Sequence, residues 1–506
     1  MRKLTLFFCF LVFATAFVAA QQYDLVIEGG RAIDPETGLD AVRNVGIQDG
    51  KIVRVSSEPL SGQRVIHADG LVVAPGFIDL HQHGQDMASQ RVKALDGVTS
   101  ALELEIGAPD VAKFLKSKEG HSLIHYGTSA SHVAARAAVF GAPLPAEIIG
   151  TQSGTPEILP KSGPATDHPA TSEQIEAIQQ RLRAELDAGG LAVGMGIQYT
   201  PGATRLEVIE MFRVAAERGL PVYTHIRSAG RVEPGSSIEA VSEVIGAAAI
   251  TGASLHIVHI NSSCLRDSLE CLAMVEGARA RRLDVTTEAY PYIAGMTAVN
   301  SALFNTGWRE KLGIDYSDLV LPDTGEHLTK ERFEELHNSS KTRWVLVYAN
   351  TQAVVDKVIP NPLVMIASDG LEGHPRNAGT YSRVLAQYVR EKGTVTLMDA
   401  IRKMSFMPAE MLERSTPAAR RKGRLQEGCD ADIVVFDAAT ISDRATFEKP
   451  MEPSVGVRYL VVGGTLVVDD GKIVPNVFPG RALLGPGKVG SGSDTRNNGA
   501  GGGAGL

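Results

Sequence analysis

Four cysteines in 506 residues are too few for a disulfide framework. A chain of this length does not need one, because it can bury a large apolar core. Basic residues are not in excess. Fifty Lys and Arg stand against 58 Asp and Glu, a net charge of -8. The basic footprint of a nucleic-acid binder is missing, so no DNA or RNA partner is expected. Aromatics make up 6% with two tryptophans, which argues against a stacking surface for single strands.

Long hydrophobic runs are confined to the start. Arg2 and Lys3 precede an apolar stretch over residues 4–18, and Val18-Ala19-Ala20 supplies small residues before Gln21. This is the layout of a secretory signal peptide. The run is shorter than the roughly 20 residues a membrane span needs. Residues 1–20 are therefore expected to be removed, leaving an exported protein, periplasmic or secreted, with no membrane segment. Cys264, Cys271 and Cys429 then remain, and all three read as packing residues.

Two β-rich ends flank an alternating middle. Near the start, Asp49-Gly50 separates two short apolar strands, a strong hairpin signal. Near the end, Gly463-Gly464 and Asp470-Gly471 repeat it. Neither end alone has enough strands for a stable sandwich, so residues 21–75 and 420–480 are expected to share one composite β-sandwich. In the middle, Thr204-Arg205-Leu206-Glu207 and Ser236-Ser237-Ile238-Glu239 are capping boxes that open helices. Apolar strands ending in His225 and His259 alternate with them. Repeated βα units imply a parallel sheet, and the length over 76–419 favours a (β/α)8 TIM-like barrel. Residues 300–341 are polar and irregular, suiting a lid or an edge insertion. The Gly-rich stretch 486–506 reads as a disordered tail.

The chemistry concentrates at strand ends. In Phe77-Ile78-Asp79-Leu80-His81-Gln82-His83 the two histidines are two apart, so both imidazoles face one side of a strand. At the C-terminal end of a barrel strand that side is the mouth. Convergent neutral imidazoles suit zinc or a similar divalent metal. His225 and His259 close two consecutive strands and read as further ligands. His256, three before His259, should face away and serve packing or hydrogen bonding. Asp369 ends the apolar strand Val364-Met365-Ile366-Ala367-Ser368 and can both bind metal and take a proton from the attacking water.

On these motifs, together with Gly194-Met195-Gly196-Ile197-Gln198-Tyr199, Tyr223-Thr224-His225-Ile226-Arg227, Glu288-Ala289-Tyr290-Pro291-Tyr292 and His374-Pro375-Arg376, the chain resembles the D-aminoacylase (N-acyl-D-amino-acid deacylase) branch of the metal-dependent amidohydrolase superfamily. The likeness runs from about Tyr23 to Gly480. It implies a barrel beside a small β-sandwich and the hydrolysis of an amide at one or two zinc ions. That branch usually carries a metal-binding cysteine after the His-x-His strand, and other members of the superfamily use a carboxylated lysine. Here the region reads Leu102-Glu103-Leu104-Glu105-Ile106-Gly107, with neither. Glu103 and Glu105 alternate with leucines and share a face. Glu105 lies nearer the strand end and is taken as the bridge between two metals.

The resemblance also implies that Arg376 and Tyr290 meet a substrate carboxylate, with Asn261 and Arg227 nearby. Asn261 stands where the family has a lysine, and Met296 where it has a serine. N-acyl-D-amino-acid deacylation is the first expectation for this small-molecule amide hydrolase. A dipeptidase or cyclic-amide hydrolase of the same fold stands beside it, and a silent metal-binding barrel is the third reading.

Overall fold

The computed structural model describes residues 22–142 and 163–489. The expected signal peptide, residues 1–20, lies outside the described residues. At the centre stand eight parallel strands in sequential order: β1 (Phe77–Asp79), β2 (Val98–Ala108), β3 (His125–Ser131), β4 (Val193–Gly196), β5 (Val222–His225), β6 (Leu255–Ile257), β7 (Val285–Ala289) and β8 (Val364–Ile366). These strands are buried nearly throughout, as a parallel sheet covered on both faces requires. The barrel closes between β1 and β8 just beyond the strand ends. His83 N donates to Gly370 O at 2.9 Å, and Ser368 N donates to the Asp79 carboxylate at 3.0 Å.

The helices start where their caps place them. Thr204 Oγ accepts from Glu207 N at 3.1 Å and opens Arg205–Glu217. The reciprocal half of this capping box is absent, because the Glu207 carboxylate turns to Arg136 and His132. Ser236 opens Ser237–Thr251 in the same way, and there the Glu239 carboxylate accepts from Gly235 N, one residue before the cap, rather than from the cap's own N–H.

Strands from both ends of the chain join in one nine-stranded sheet, with Val72–Pro75 pairing antiparallel to Ile433–Phe436. The strands are linked into one hydrogen-bonded network because the long strand Gln22–Asp34 pairs on one edge with Ser61–His67 and then, past a bulge, with Val72–Pro75. It encloses its own core, including Ile27, Val45, Ile47, Ile433 and Val435. The three hairpin turns take positive φ at both central residues: 50° and 76° at Asp49-Gly50, 52° and 80° at Gly463-Gly464, 47° and 75° at Asp470-Gly471. That is the turn whose twist matches the flanking strands. Asp432 joins this sheet to the barrel. Its carboxylate accepts from Lys422 Nζ at 2.6 Å and Gly463 N at 2.7 Å and meets His125 Nε2 of β3 at 2.9 Å.

Three expectations need correction. Residues 300–341 are neither irregular nor without a core. Together with their flanks they form a three-stranded sheet (Gly295–Ala298, Leu319–Val320, Trp344–Val347) and two helices (Trp308–Leu312, Lys330–His337), packed around Phe304, Trp308, Leu321 and Phe333. Cys264 and Cys271 are not simple packing residues but a disulfide, brought together by the turn at Leu265, where φ is 49°; Cys429 is a buried free thiol. The tail expected to be disordered begins as a helical turn, Pro486–Val489. Gly485 and Gly487 allow it to lie against the chain near Leu186–Gly190, where a Cβ would meet backbone at 2.1 and 2.7 Å. The remainder of that expectation, residues 490–506, lies outside the described residues.

Candidate metal centre

Six side chains converge where the strands end. His81 and His83 follow β1, Glu105 stands on β2, His225 ends β5, His259 follows β6 and Asp369 follows β8. The carboxylate of Glu105 lies between two sets of histidines. Its Oε2 is 3.0 Å from His81 Nε2 and 3.1 Å from His83 Nε2. Its Oε1 is 2.9 Å from His225 Nδ1 and 3.2 Å from His259 Nε2. Asp369 Oδ1 completes the first set, 3.2 Å from His83 Nε2 and 3.5 Å from His81 Nε2. Glu103 supports the centre from behind. It faces His83 Nδ1 at 2.7 Å and accepts from Ile106 N and Gly107 N at 3.2 and 3.3 Å. The two ligand positions just past their strands, His259 and Asp369, have φ of 27° and 50°. A side chain in that region of backbone space is strained, and such strain collects at functional sites.

The donor chemistry fits a cation. His81 Nδ1 is 2.6 Å from Glu288 Oε1, so its proton sits there and Nε2 presents a lone pair. His83 is set the same way by Glu103. The two Nε2 atoms then face each other at 3.1 Å, with Glu105 and Asp369 oxygens beside them. A proton on one of them or a bound cation makes four such atoms compatible. Two groups could hold such a cation: His81, His83, Glu105 and Asp369, and Glu105, His225 and His259, the ligand atoms within each group lying no more than 4.8 Å apart. The set of nitrogen and carboxylate oxygen donors suits zinc.

The electrostatics agree. Burial disfavours charge on His81, yet the Glu105, Asp369 and Glu288 carboxylates push it up to about 10, so without an ion the site draws a proton, and a bound cation would take that proton's place and leave Nε2 free to ligate. Burial likewise opposes ionisation of Glu105 and Asp369. Histidines around Glu105, and Arg376 and His81 beside Asp369, overcome it and hold both well below the usual carboxylate range. Burial lowers His225, which keeps its imidazole neutral and able to ligate.

The pocket above this cluster has an apolar wall that includes Leu265, Met296, Trp344, Val347 and Leu371, several of them from the three-stranded insertion. Tyr290 and Asn261 line it. Arg376 is 1% exposed. Its Nη1 is 2.8 Å from Asp369 Oδ2, and its guanidinium lies 4.7 Å from the Tyr290 ring centre. Arg227 is not brought to this pocket: Glu243 holds its guanidinium through two hydrogen bonds at 2.6 and 2.8 Å. The partner is on the following helix, Ser237–Thr251, and a sequence motif around His225 gives no sign of it.

The sequence reading missed the groups behind the ligands. Glu288 Oε2 also meets His256 Nε2 at 3.1 Å, and His256 Nδ1 meets Thr286 Oγ at 2.8 Å. His256 is thus a hydrogen-bonding histidine, as expected, but one joined to His81 through Glu288. Ser263 Oγ lies 3.0 Å from His259 Nδ1. The available signal was the pair Thr286 and Glu288, two apart on a strand otherwise suited to a core.

The sequence profile of the amidohydrolase family matches residues 165–468. The chain is 30% identical to the N-acyl-D-glutamate deacylase of Alcaligenes xylosoxydans xylosoxydans, covering 92% of this chain and 97% of that protein. It is 28% identical to the D-aminoacylase of the same organism, covering 88% and 95%. Among solved structures, the N-acyl-D-glutamate deacylase of Bordetella bronchiseptica, complexed with zinc and a phosphonate mimic of the reaction's tetrahedral intermediate, matches with a TM-score of 0.75 at 26% identity, over 92% of this chain and all of that one. Barrel, ligand cluster and these likenesses agree: the chain belongs to the amidohydrolase family of metal-dependent hydrolases.

Proposed function

We propose that the protein hydrolyses the amide bond of N-acyl-D-amino acids with one or two zinc ions held by His81, His83, Glu105, His225, His259 and Asp369. The observation that carries this reading is the Glu105 carboxylate, which offers one oxygen to each set of histidines. Bound there, zinc supplies Lewis acidity toward the scissile carbonyl and lowers the pKa of the attacking water. The protein's own groups do the rest. Asp369 accepts the water proton and passes it to the leaving nitrogen. Arg376 holds Asp369 ionised and ready to accept. Glu288 and Glu103 keep the His81 and His83 rings turned toward the centre. The insertion between β7 and β8 walls the pocket and limits its water.

The substrates in two relatives' names, N-acyl-D-glutamate and N-acyl-D-aspartate, support the choice of a D-configured substrate. Export belongs to the same proposal. The Cys264–Cys271 disulfide supports it, because such bonds persist in oxidising compartments.

The test is hydrolysis of N-acetyl-D-amino acids, their L enantiomers and a few dipeptides by zinc-reconstituted protein. Cleavage of the D series is expected. Turnover confined to L substrates or dipeptides would overturn the assignment while leaving the metal chemistry in place.

A further inference from the structure

Asn261 stands two residues past His259 on a short helical segment, Ile260–Cys264. That segment is held firmly: the Cys264–Cys271 disulfide ties its end, and Asn350 Nδ2 donates to the Asn261 carbonyl at 2.6 Å. The side chain is oriented as well. Asn261 Nδ2 donates to the Tyr290 carbonyl at 3.0 Å, and a carbonyl can only accept, so the amide cannot turn round. Asn261 lines the pocket, and its Oδ1 is left buried with no hydrogen-bond partner. A buried acceptor without a partner is destabilising, and its complement is an N–H or O–H donor.

A carboxylate has no proton to offer, and it carries negative charge toward an electronegative oxygen. Tyr290 Oη, also buried without a hydrogen-bond partner, lines the same wall and is a donor, the complement of a carboxamide's carbonyl oxygen. Glu105 and Asp369 are acidic, and among the described lining residues there is no Lys or Arg. Arg376 is 1% exposed, does not line the pocket and forms an ion pair with Asp369, although its Nε and Nη1 make no hydrogen bond.

We propose that Asn261 Oδ1 accepts an N–H from the substrate. The preferred substrate then carries an uncharged carboxamide, or an onward peptide bond, where a simple N-acyl amino acid has its free carboxylate. This refinement rests on the deacylase reading above: the bond broken is still the acyl amide, and only the flanking group differs. Asn261 is a specificity-determining residue, and the substrate class is the N-acyl aminoacyl amides.

The experiment compares three substrates that share one scissile acetyl amide: N-acetyl-leucinamide, N-acetyl-leucine methyl ester and N-acetyl-leucine, each in D and L form. The amide is neutral with an N–H donor, the ester neutral without one, and the acid charged. With zinc-loaded wild-type protein, kcat/KM should fall from amide to ester to acid, the amide exceeding the acid by about tenfold or more. In Asn261→Leu the amide-to-ester ratio should collapse toward one. That ratio is internal to each preparation, so partial misfolding does not move it. The wild-type series stands alone if the variant does not fold. Preference for the acid, or equal turnover of amide and ester, overturns the inference and leaves deacylation standing. The same ranking seen only in the L series overturns the D assignment and supports the role of Asn261. No turnover of any of the six overturns both.

Discussion

Replacing Glu288 tests whether the metal centre is aligned from behind. Its carboxylate accepts from two buried rings, His81 Nδ1 at 2.6 Å and His256 Nε2 at 3.1 Å. Burial opposes its ionisation, but His81 and His256 overcome that and push it down to about 2. It therefore stays an anion with two acceptors at every working pH. Glu288→Gln keeps the shape and leaves one acceptor. If that oxygen stays on His81, the amide nitrogen faces His256, which must then accept at Nε2 and donate from Nδ1 to Thr286 Oγ, 2.8 Å away. The geometry permits this, so the Gln variant loses mainly the basicity that the anion lends to His81. Glu288→Ala loses the orientation too. Partners of this kind change metal affinity by about 10–100-fold. The Gln variant should lie near the lower end and the Ala variant near the upper. The Ala variant also strands two buried ring N–H groups, at ~1–3 kcal/mol each, so its metal-free stability should fall by ~2–6 kcal/mol. Zinc affinity from chelator competition and a denaturant titration of metal-free protein read the two effects separately. Wild-type zinc affinity in Glu288→Ala would refute the reasoning and reduce Glu288 to a packing group.

Three further outcomes are expected. Glu105→Gln offers one acceptor where two histidine sets each use an oxygen, so zinc stoichiometry by elemental analysis should fall; full content with full rate would remove Glu105 as the bridge. Asp369→Asn should retain zinc on the remaining ligands while kcat drops by about 10²–10⁴-fold, the range for a lost acid–base group; near-normal turnover would end its role. Asp432→Ala leaves Lys422 and His125 without their buried anion and should lower stability by ~3–5 kcal/mol. Burial opposes ionisation of Asp432, but His125 and Lys422 hold it well below the usual range. The stabilisation should therefore be complete above the ordinary carboxylate pKa of about 4 and shrink as pH falls below it. A wild-type-to-variant gap in Tm that stayed constant down the acid limb would contradict that account.

How legible each feature was in sequence depended on how local its cause is. His81 and His83 could be read because their spacing on a strand fixes a common direction, whatever the rest of the chain does. Glu105 could be preferred over Glu103 for the same reason, nearness to the strand end. The hairpin turns were equally open, since Asp-Gly and Gly-Gly supply the positive φ those turns need. The insertion at 300–341 was not. Its composition is polar, and its core residues, Phe304, Trp308, Leu321 and Phe333, follow neither a helical nor a strand period because they come from several short elements. The disulfide was hidden by the backbone turn at Leu265, which no pattern announced.

The least legible part is the chemistry that depends on who faces whom across the barrel. Arg227 follows a ligand histidine and looked like a substrate group, yet Glu243 from the next helix neutralises it. Arg376 carries the charge expected for a substrate carboxylate, and in the structure it is ion-paired with Asp369. Glu288 was visible only as part of a motif. Its role requires β1, across β8, and β6, beside β7, to bring His81 and His256 to the same carboxylate. Strand periodicity says which side chains point inward; it does not say which of them meet. Catalytic polarity here is set by those meetings. Among the described lining residues there is no lysine, Asn261 Oδ1 is left without a partner, and Arg376 is ion-paired with Asp369. The histidine and carboxylate spacing declares a metal hydrolase in one dimension, and the pairings around it appear only in three.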